Sequence, residues 1–113
     1  MSGKTDILLR EADRNVFIAE CKFWKGPKAF KEAIDQLLRY TTWRDGKTAI
    51  LIFNRGIDTT TVMNGIDAQV KEHPNFKRAV SWSHESGFRY VLRANDDAGR
   101  ELFLTVLVFH VPA

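Results

Sequence analysis

The stretch that decides the fold is GKTDILLREADRNVFIAECKFW, residues 3–24. Thr5 to Leu9 and Val16 to Trp24 are runs rich in apolar, β-branched and aromatic residues. The polar, turn-forming segment EADRN separates them, as is typical of a β-hairpin. Side chains alternate between the two faces of a strand, so Glu20 and Lys22 share a face of the second strand. The stretch therefore predicts a hairpin that presents an acid and a lysine side by side.

The register of this hairpin decides whether a second acid joins them. A five-residue loop, Glu11–Asn15, would pair Arg10 with Val16 and set Asp6 directly opposite Glu20. A four-residue loop would instead turn Asp6 to the other face, because a slip of one residue inverts a strand. The register stays open on sequence grounds alone.

Two carboxylates opposed across a sheet repel each other by a few tenths to about 1 kcal/mol, and by more where they are partly buried. A bound Mg²⁺ would offset this repulsion, since it takes carboxylate ligands and keeps other positions for water and phosphate. Lys22 beside the pair could hold a water or a phosphate oxygen. A metal-bound water loses its proton near neutral pH. Asp6, Glu20 and Lys22 therefore form a candidate site for phosphodiester hydrolysis.

The remaining chain predicts an α/β fold with a mixed sheet in one domain, residues 1–113. Gly-Pro at 26–27 ends the second strand and begins a helix to about Thr42, whose apolar residues repeat at intervals of three and four. A continuous apolar run then predicts a strand covered on both faces. Asp58 is expected to cap a second helix that ends before Pro74. The other predicted strands are Thr48–Phe53, Arg78–Trp82, Phe88–Arg93 and Glu101–Val111, of which the last three are expected to form an antiparallel meander.

Composition sets broad limits on the class of protein. The 113 residues carry a net charge of +3 with a pI near 9.2, which is compatible with a polyanionic partner but does not require one. No apolar run is long enough to span a bilayer, and the N-terminus has no secretory signal. The single cysteine, Cys21, cannot pair within the chain, so a reducing cytoplasm is expected. Four lysines between 22 and 31 are either part of a binding surface or a solvated start of the helix.

Two motifs together resemble a known superfamily. Asp6 on one strand is followed after a hairpin by Glu20-Cys21-Lys22 on the next, and the helix after it carries Gln36 and Tyr40 in a Gln-x-x-x-Tyr pattern. The arrangement resembles the PD-(D/E)xK, or restriction endonuclease-like, nucleases, in the branch with a Gln-x-x-x-Tyr helix. The resemblance covers residues 3–53, about half of the chain.

The resemblance implies a role for each matching residue. Asp6 and Glu20 would ligate Mg²⁺ or Mn²⁺, with the backbone carbonyl of Cys21 as a third ligand. Lys22 would orient the attacking water, and Gln36 would brace the metal site or the lysine. Tyr40 would contact the nucleic-acid backbone or position Gln36. Lys25, Lys28 and Arg39 are further side chains expected to contact DNA.

The chain departs from the superfamily at its start, because members usually have a helix and one more strand before the Asp strand. The fold expected here is a restriction endonuclease-like core that lacks both, as in a fragment of a larger protein with other domains. The Asp6 strand would then be a sheet edge, open to pairing with a second copy. The expected function is metal-dependent hydrolysis of DNA, and the alternative is an inactive module of the same fold that binds nucleic acid or protein.

Several residues also have a purely structural interpretation. Gln36 could cap a polar edge of the helix where it packs against the sheet, and this interpretation is as good as a role at a metal site. Cys21 alternates towards an apolar face and is not expected to act as a nucleophile. Trp24 and Trp43 flank the helix and are more typical of core than of base stacking. The histidines lack metal-ligand spacing.

Overall fold

The described residues form one six-stranded mixed sheet with two helices packed on it. The computed structural model describes residues 7–11, 14–40, 46–82, 86–95, 97 and 99–112. In chain order the elements are β1 (Ile7–Glu11), β2 (Arg14–Phe23), α1 (Pro27–Tyr40), β3 (Lys47–Asn54), α2 (Thr59–Glu72), β4 (Phe76–Val80), β5 (Gly87–Arg93) and β6 (Glu101–His110).

The strands lie in the order β1-β2-β3-β6-β5-β4. The central strands β2, β3 and β6 run parallel to one another, while β1, β5 and β4 are antiparallel to their neighbours. This confirms the α/β class, the mixed sheet and the meander of the last three strands. β1 is an edge strand, as expected for the strand that Asp6 precedes.

The pairing of the first hairpin agrees with a five-residue loop at one end and departs from it nearer the turn. Leu8 pairs with Ile18, as a five-residue loop would require, yet Arg10 pairs with Asn15 rather than with Val16. The five-residue loop is wrong, because β1 extends to Glu11 and β2 begins at Arg14. The pairing shifts by one residue beyond Leu9, so a bulge takes up the extra residue on β2. Asp6 itself lies outside the described residues.

Both helices begin where the sequence predicts. Gly26 has φ of 99°, a left-handed conformation that suits glycine, and turns the chain from β2 into α1 at Pro27. Asp58 caps α2 by accepting a hydrogen bond from the Thr61 backbone N–H at 3.1 Å. The predicted last residues of α1, Thr41 and Thr42, are outside the described part of the chain.

The core lies between the helices and one face of the sheet, here called the helix face. Both helices and β2, β3, β5 and β6 contribute to a single apolar cluster, and its strand residues alternate with residues that point away. The buried helix residues are Phe30, Ala33, Ile34, Leu37 and Leu38 from α1 and Val62, Ile66 and Val70 from α2.

The opposite face, here called the open face, is covered by neither helix. On β3 the helix-face residues Ile50 and Ile52 are buried, whereas Leu51 and Phe53 on the open face are only half-buried. Ala49, also on the open face, is buried, so the prediction that this strand is covered on both faces holds only in part. A continuous apolar run marks a strand in the middle of a sheet, and it does not show that both faces carry a helix.

Candidate active site

Glu20 lies on β2 in the middle of the helix face, paired with Ile50 on β3. Its side chain is 0% exposed, and the Lys22 ammonium lies 3.7 Å from its Oε1. The two side chains share a face because they are two residues apart on a strand. This part of the site agrees with the sequence prediction.

The Glu20 carboxylate is buried and its lysine partner is not. Removing a charge from water disfavours folding by several kcal/mol unless good ion pairs and hydrogen bonds repay it. Lys22 is 28% exposed, so its ammonium reaches from the buried carboxylate towards solvent. Buried ionisable groups beside a cavity are common at functional sites.

A cavity of about 410 Å³ opens beside this pair, between the ends of β2 and β3 and the first half of α1. Its lining combines cations, a carboxylate, an amide and aromatic surface. The residues are Cys21, Lys22, Phe23, Trp24, Lys25, Ala29, Phe30, Glu32, Ala33, Gln36 and Ile52. Four predicted site residues, Cys21, Lys22, Lys25 and Gln36, are thus brought together.

Helix α1 brings two polar side chains to the cavity, Gln36 and Glu32. They are four residues apart, which puts them on the same side of a helix. The sequence analysis did not single out Glu32, which is exposed and also lines the cavity. Its position one helical turn before Gln36 could have indicated it.

Other predicted site residues lie elsewhere or outside the described residues. Lys28, Arg39 and Tyr40 are exposed on α1 but do not line this cavity. Asp6 is outside the described residues, so its position opposite Glu20 remains a prediction. Trp24 is partly buried against the core and lies 6.0 Å from the Phe30 ring, which agrees with its structural interpretation.

The donors around the cavity are chemically suited to Mg²⁺ or Mn²⁺. Glu32 lines the cavity with a carboxylate, Cys21 and Gln36 carry carbonyl oxygens there, and the Glu20 carboxylate is buried next to Lys22. Within the described residues no three histidine, cysteine or acidic side chains cluster as a ready metal site.

A second polar cluster ties α1 to the end of α2, away from the cavity. His73 is buried, its Nε2 lies 2.7 Å from Asp35, and its Nδ1 accepts a hydrogen bond from the Asn75 backbone N–H. The Nε2 proton is therefore donated to Asp35. Burial raises the pKa of the Asp35 carboxyl, but hydrogen bonds from His73 and Lys31 outweigh it and hold this pKa below 3.8. The cluster fixes the helices behind the site.

Comparison with protein-family models, with curated proteins and with solved structures finds no match. In the described part of the chain, neither helix is long and apolar enough to cross a membrane. The functional argument therefore rests on the residues of the site.

Proposed function

We propose that this chain is a metal-dependent nuclease domain of the PD-(D/E)xK type that hydrolyses DNA phosphodiester bonds. The observation that carries the proposal is the fully buried Glu20 carboxylate, 3.7 Å from a lysine that lines a cavity together with Gln36. A buried acid paired with a partly exposed lysine adds little to stability and is common at functional sites.

In this proposal Asp6 and Glu20 would hold the metal ion with the Cys21 carbonyl. The bound Mg²⁺ or Mn²⁺ would supply Lewis acidity and lower the pKa of a water. Lys22 would orient that water and offset negative charge on the phosphate as the bond breaks. Gln36 would hold Lys22 or the water in place from α1, and Lys25 would attract the DNA backbone at the cavity mouth.

The alternative, a binding module of the same fold without catalysis, is favoured by one observation. The Glu20 side chain is 0% exposed, and a module that uses no metal needs no ion to reach it. Such a module would keep Lys22 and Lys25 as phosphate contacts and use no metal.

Cleavage of plasmid and single-stranded DNA with Mg²⁺ or Mn²⁺, against EDTA, separates these proposals. The nuclease predicts metal-dependent products that fall at least about 100-fold in Lys22→Ala and Asp6→Ala, the size of effect found for a lost electrostatic contact in a transition state. Lys71→Ala is the matched control, because this lysine lies on α2 and pairs with Asp67 away from the cavity. Folding of each variant is checked by circular dichroism.

Two results would count against the assignment. Cutting that survives in both site variants would place the chemistry elsewhere. DNA binding that is independent of metal, with no cutting under any condition, would favour the binding module.

A further inference from the structure

A row of three phenylalanines crosses the open face at the carboxyl ends of the parallel strands. Phe23 on β2 pairs with Phe53 on β3, which pairs with Phe109 on β6. The ring centroids are 5.9 Å apart in the first pair and 5.5 Å in the second, where the rings are stacked. Phe23 and Phe109 are 50% and 42% exposed, so the row presents aromatic surface to solvent.

An arginine side chain of the same chain contacts this row. The Arg55 guanidinium lies over the Phe23 ring, 5.4 Å from its centroid. It is held there from the loop that follows β3. Aromatic faces flanked by an arginine are the surface on which unpaired nucleobases stack.

A second feature lies at the other end of the open face. A cavity of about 360 Å³ is lined by two cations, Lys47 and Arg89, together with Thr48, Val80, Phe103 and Thr105. The Arg89 guanidinium lies 4.3 Å from the Trp82 ring centroid, and its Nε donates to the Thr105 hydroxyl at 3.3 Å. The described residues that line this cavity thus include an arginine and two threonines, and none of them is a carboxylate. Such a lining suits a phosphate group.

The charge of the open face indicates what it would bind. On the described strands β3 to β6 its cationic positions are Lys47, Arg78, Arg89 and Arg93, and its single acid is Glu101. Glu101 is already paired with Lys77 and Arg78. A second copy of this chain would bring like charges together, whereas a polyanion would be attracted.

We propose that the open face binds single-stranded nucleic acid, with bases stacked on the Phe23–Phe53–Phe109 row and phosphates held by Arg55, Lys47 and Arg89. Phe103 and Phe109 are six residues apart on β6, so the surface extends about 20 Å along the strand, enough for a few nucleotides. A duplex fits poorly, because its bases are already stacked and paired. The row shares Phe23 with the cavity of the proposed hydrolysis, but the binding proposed here requires neither a metal ion nor cleavage.

Fluorescence anisotropy with a labelled 12-nucleotide oligothymidine, in EDTA so that no cleavage can occur, tests the proposal on the full chain. Phe109→Leu keeps an apolar side chain but removes the ring, and should weaken binding about tenfold, whereas Phe109→Trp should retain it. Lys47→Ala should weaken binding and lower the dependence of log affinity on log salt by about 1. Lys71→Ala, an exposed lysine of α2, is the control for a change in net charge.

Four results would count against this binding surface. Wild-type affinity in both Phe109→Leu and Lys47→Ala, with melting temperatures unchanged, would overturn the proposal. So would equal affinity for a duplex of the same length. A concentration-dependent dimer in sedimentation that Phe109→Leu abolishes, with oligonucleotide binding intact, would assign the face to a second copy instead. Loss of binding in Lys22→Ala alone would place the DNA on the helix face.

Discussion

Replacement of Glu20 by methionine should stabilise the fold while it removes the proposed metal ligand. The Glu20 side chain is 0% exposed, and the Lys22 ammonium lies 3.7 Å away. In this ion pair the carboxylate is buried and the lysine is partly exposed. Apolar residues of similar volume in place of buried ion pairs are often neutral or stabilising by about 1–4 kcal/mol. For Glu20→Met we expect the free energy of unfolding to rise by about 1–2 kcal/mol, because Lys22 can return to water.

The size of the thermal shift follows from chain length. An unfolding entropy of ~2.1 cal/mol/K per residue over 113 residues is about 0.24 kcal/mol/K. A gain of about 1–2 kcal/mol therefore raises the melting temperature by roughly 4–8 °C. The assay is calorimetric melting and urea unfolding at pH 7 in EDTA, so that no bound cation adds to the stability of the wild type.

Lys22→Met is the matched variant. It leaves the buried carboxylate without its lysine and should lower stability by about 1–3 kcal/mol, less than for a fully buried pair because Lys22 is 28% exposed. The double variant should recover most of that loss. If Glu20→Met instead lowers the melting temperature by several degrees, the carboxylate is structural, and the argument that it is kept for chemistry fails.

Three further changes test the packing and polar contacts around the sheet. Gly87→Ala should cost about 1–3 kcal/mol, because its Cβ would lie 2.8 Å from the Trp82 ring, and it should shift the tryptophan fluorescence. Asp35→Asn should be less stable than the wild type above pH 3.8, and the difference in unfolding free energy should shrink as pH falls through the lowered pKa of Asp35; a difference that is constant from pH 7 to pH 2 would contradict this. Asp58→Ala removes the cap of α2 and should cost about 1 kcal/mol in urea unfolding, with no change expected in DNA cleavage.

Local chemistry made much of the fold predictable. Gly26-Pro27 and Asp58 specify helix starts through backbone conformation and capping, which depend on a few adjacent residues, and both starts are as predicted. The shared face of Glu20 and Lys22 follows from strand alternation in the same way. The boundaries of β4 differ by two residues from the prediction, since the turn at Pro74 and Asn75 allows pairing with β5 to begin at Phe76.

The hairpin turn was not predictable to the same degree. A five-residue loop and a tighter turn followed by a bulge give the same pairing of Leu8 with Ile18, so the polar segment between the strands could not distinguish them. The choice depends on how the strands twist, which is a property of the whole sheet. Up to Leu9 the pairing is the one that a five-residue loop gives, whereas a four-residue loop would have inverted the strand.

The sequence by itself determined the order of the elements, the hairpin and the neighbours Glu20 and Lys22, because these depend on patterns within a few residues. Only the tertiary structure decided that both helices lie on one face, that Glu20 is fully buried, and that Glu32 joins Gln36 and Lys22 at one cavity. The same holds for the row formed by Phe23, Phe53 and Phe109. These contacts join residues distant in the chain, and strand order and packing, which no local pattern encodes, bring them together.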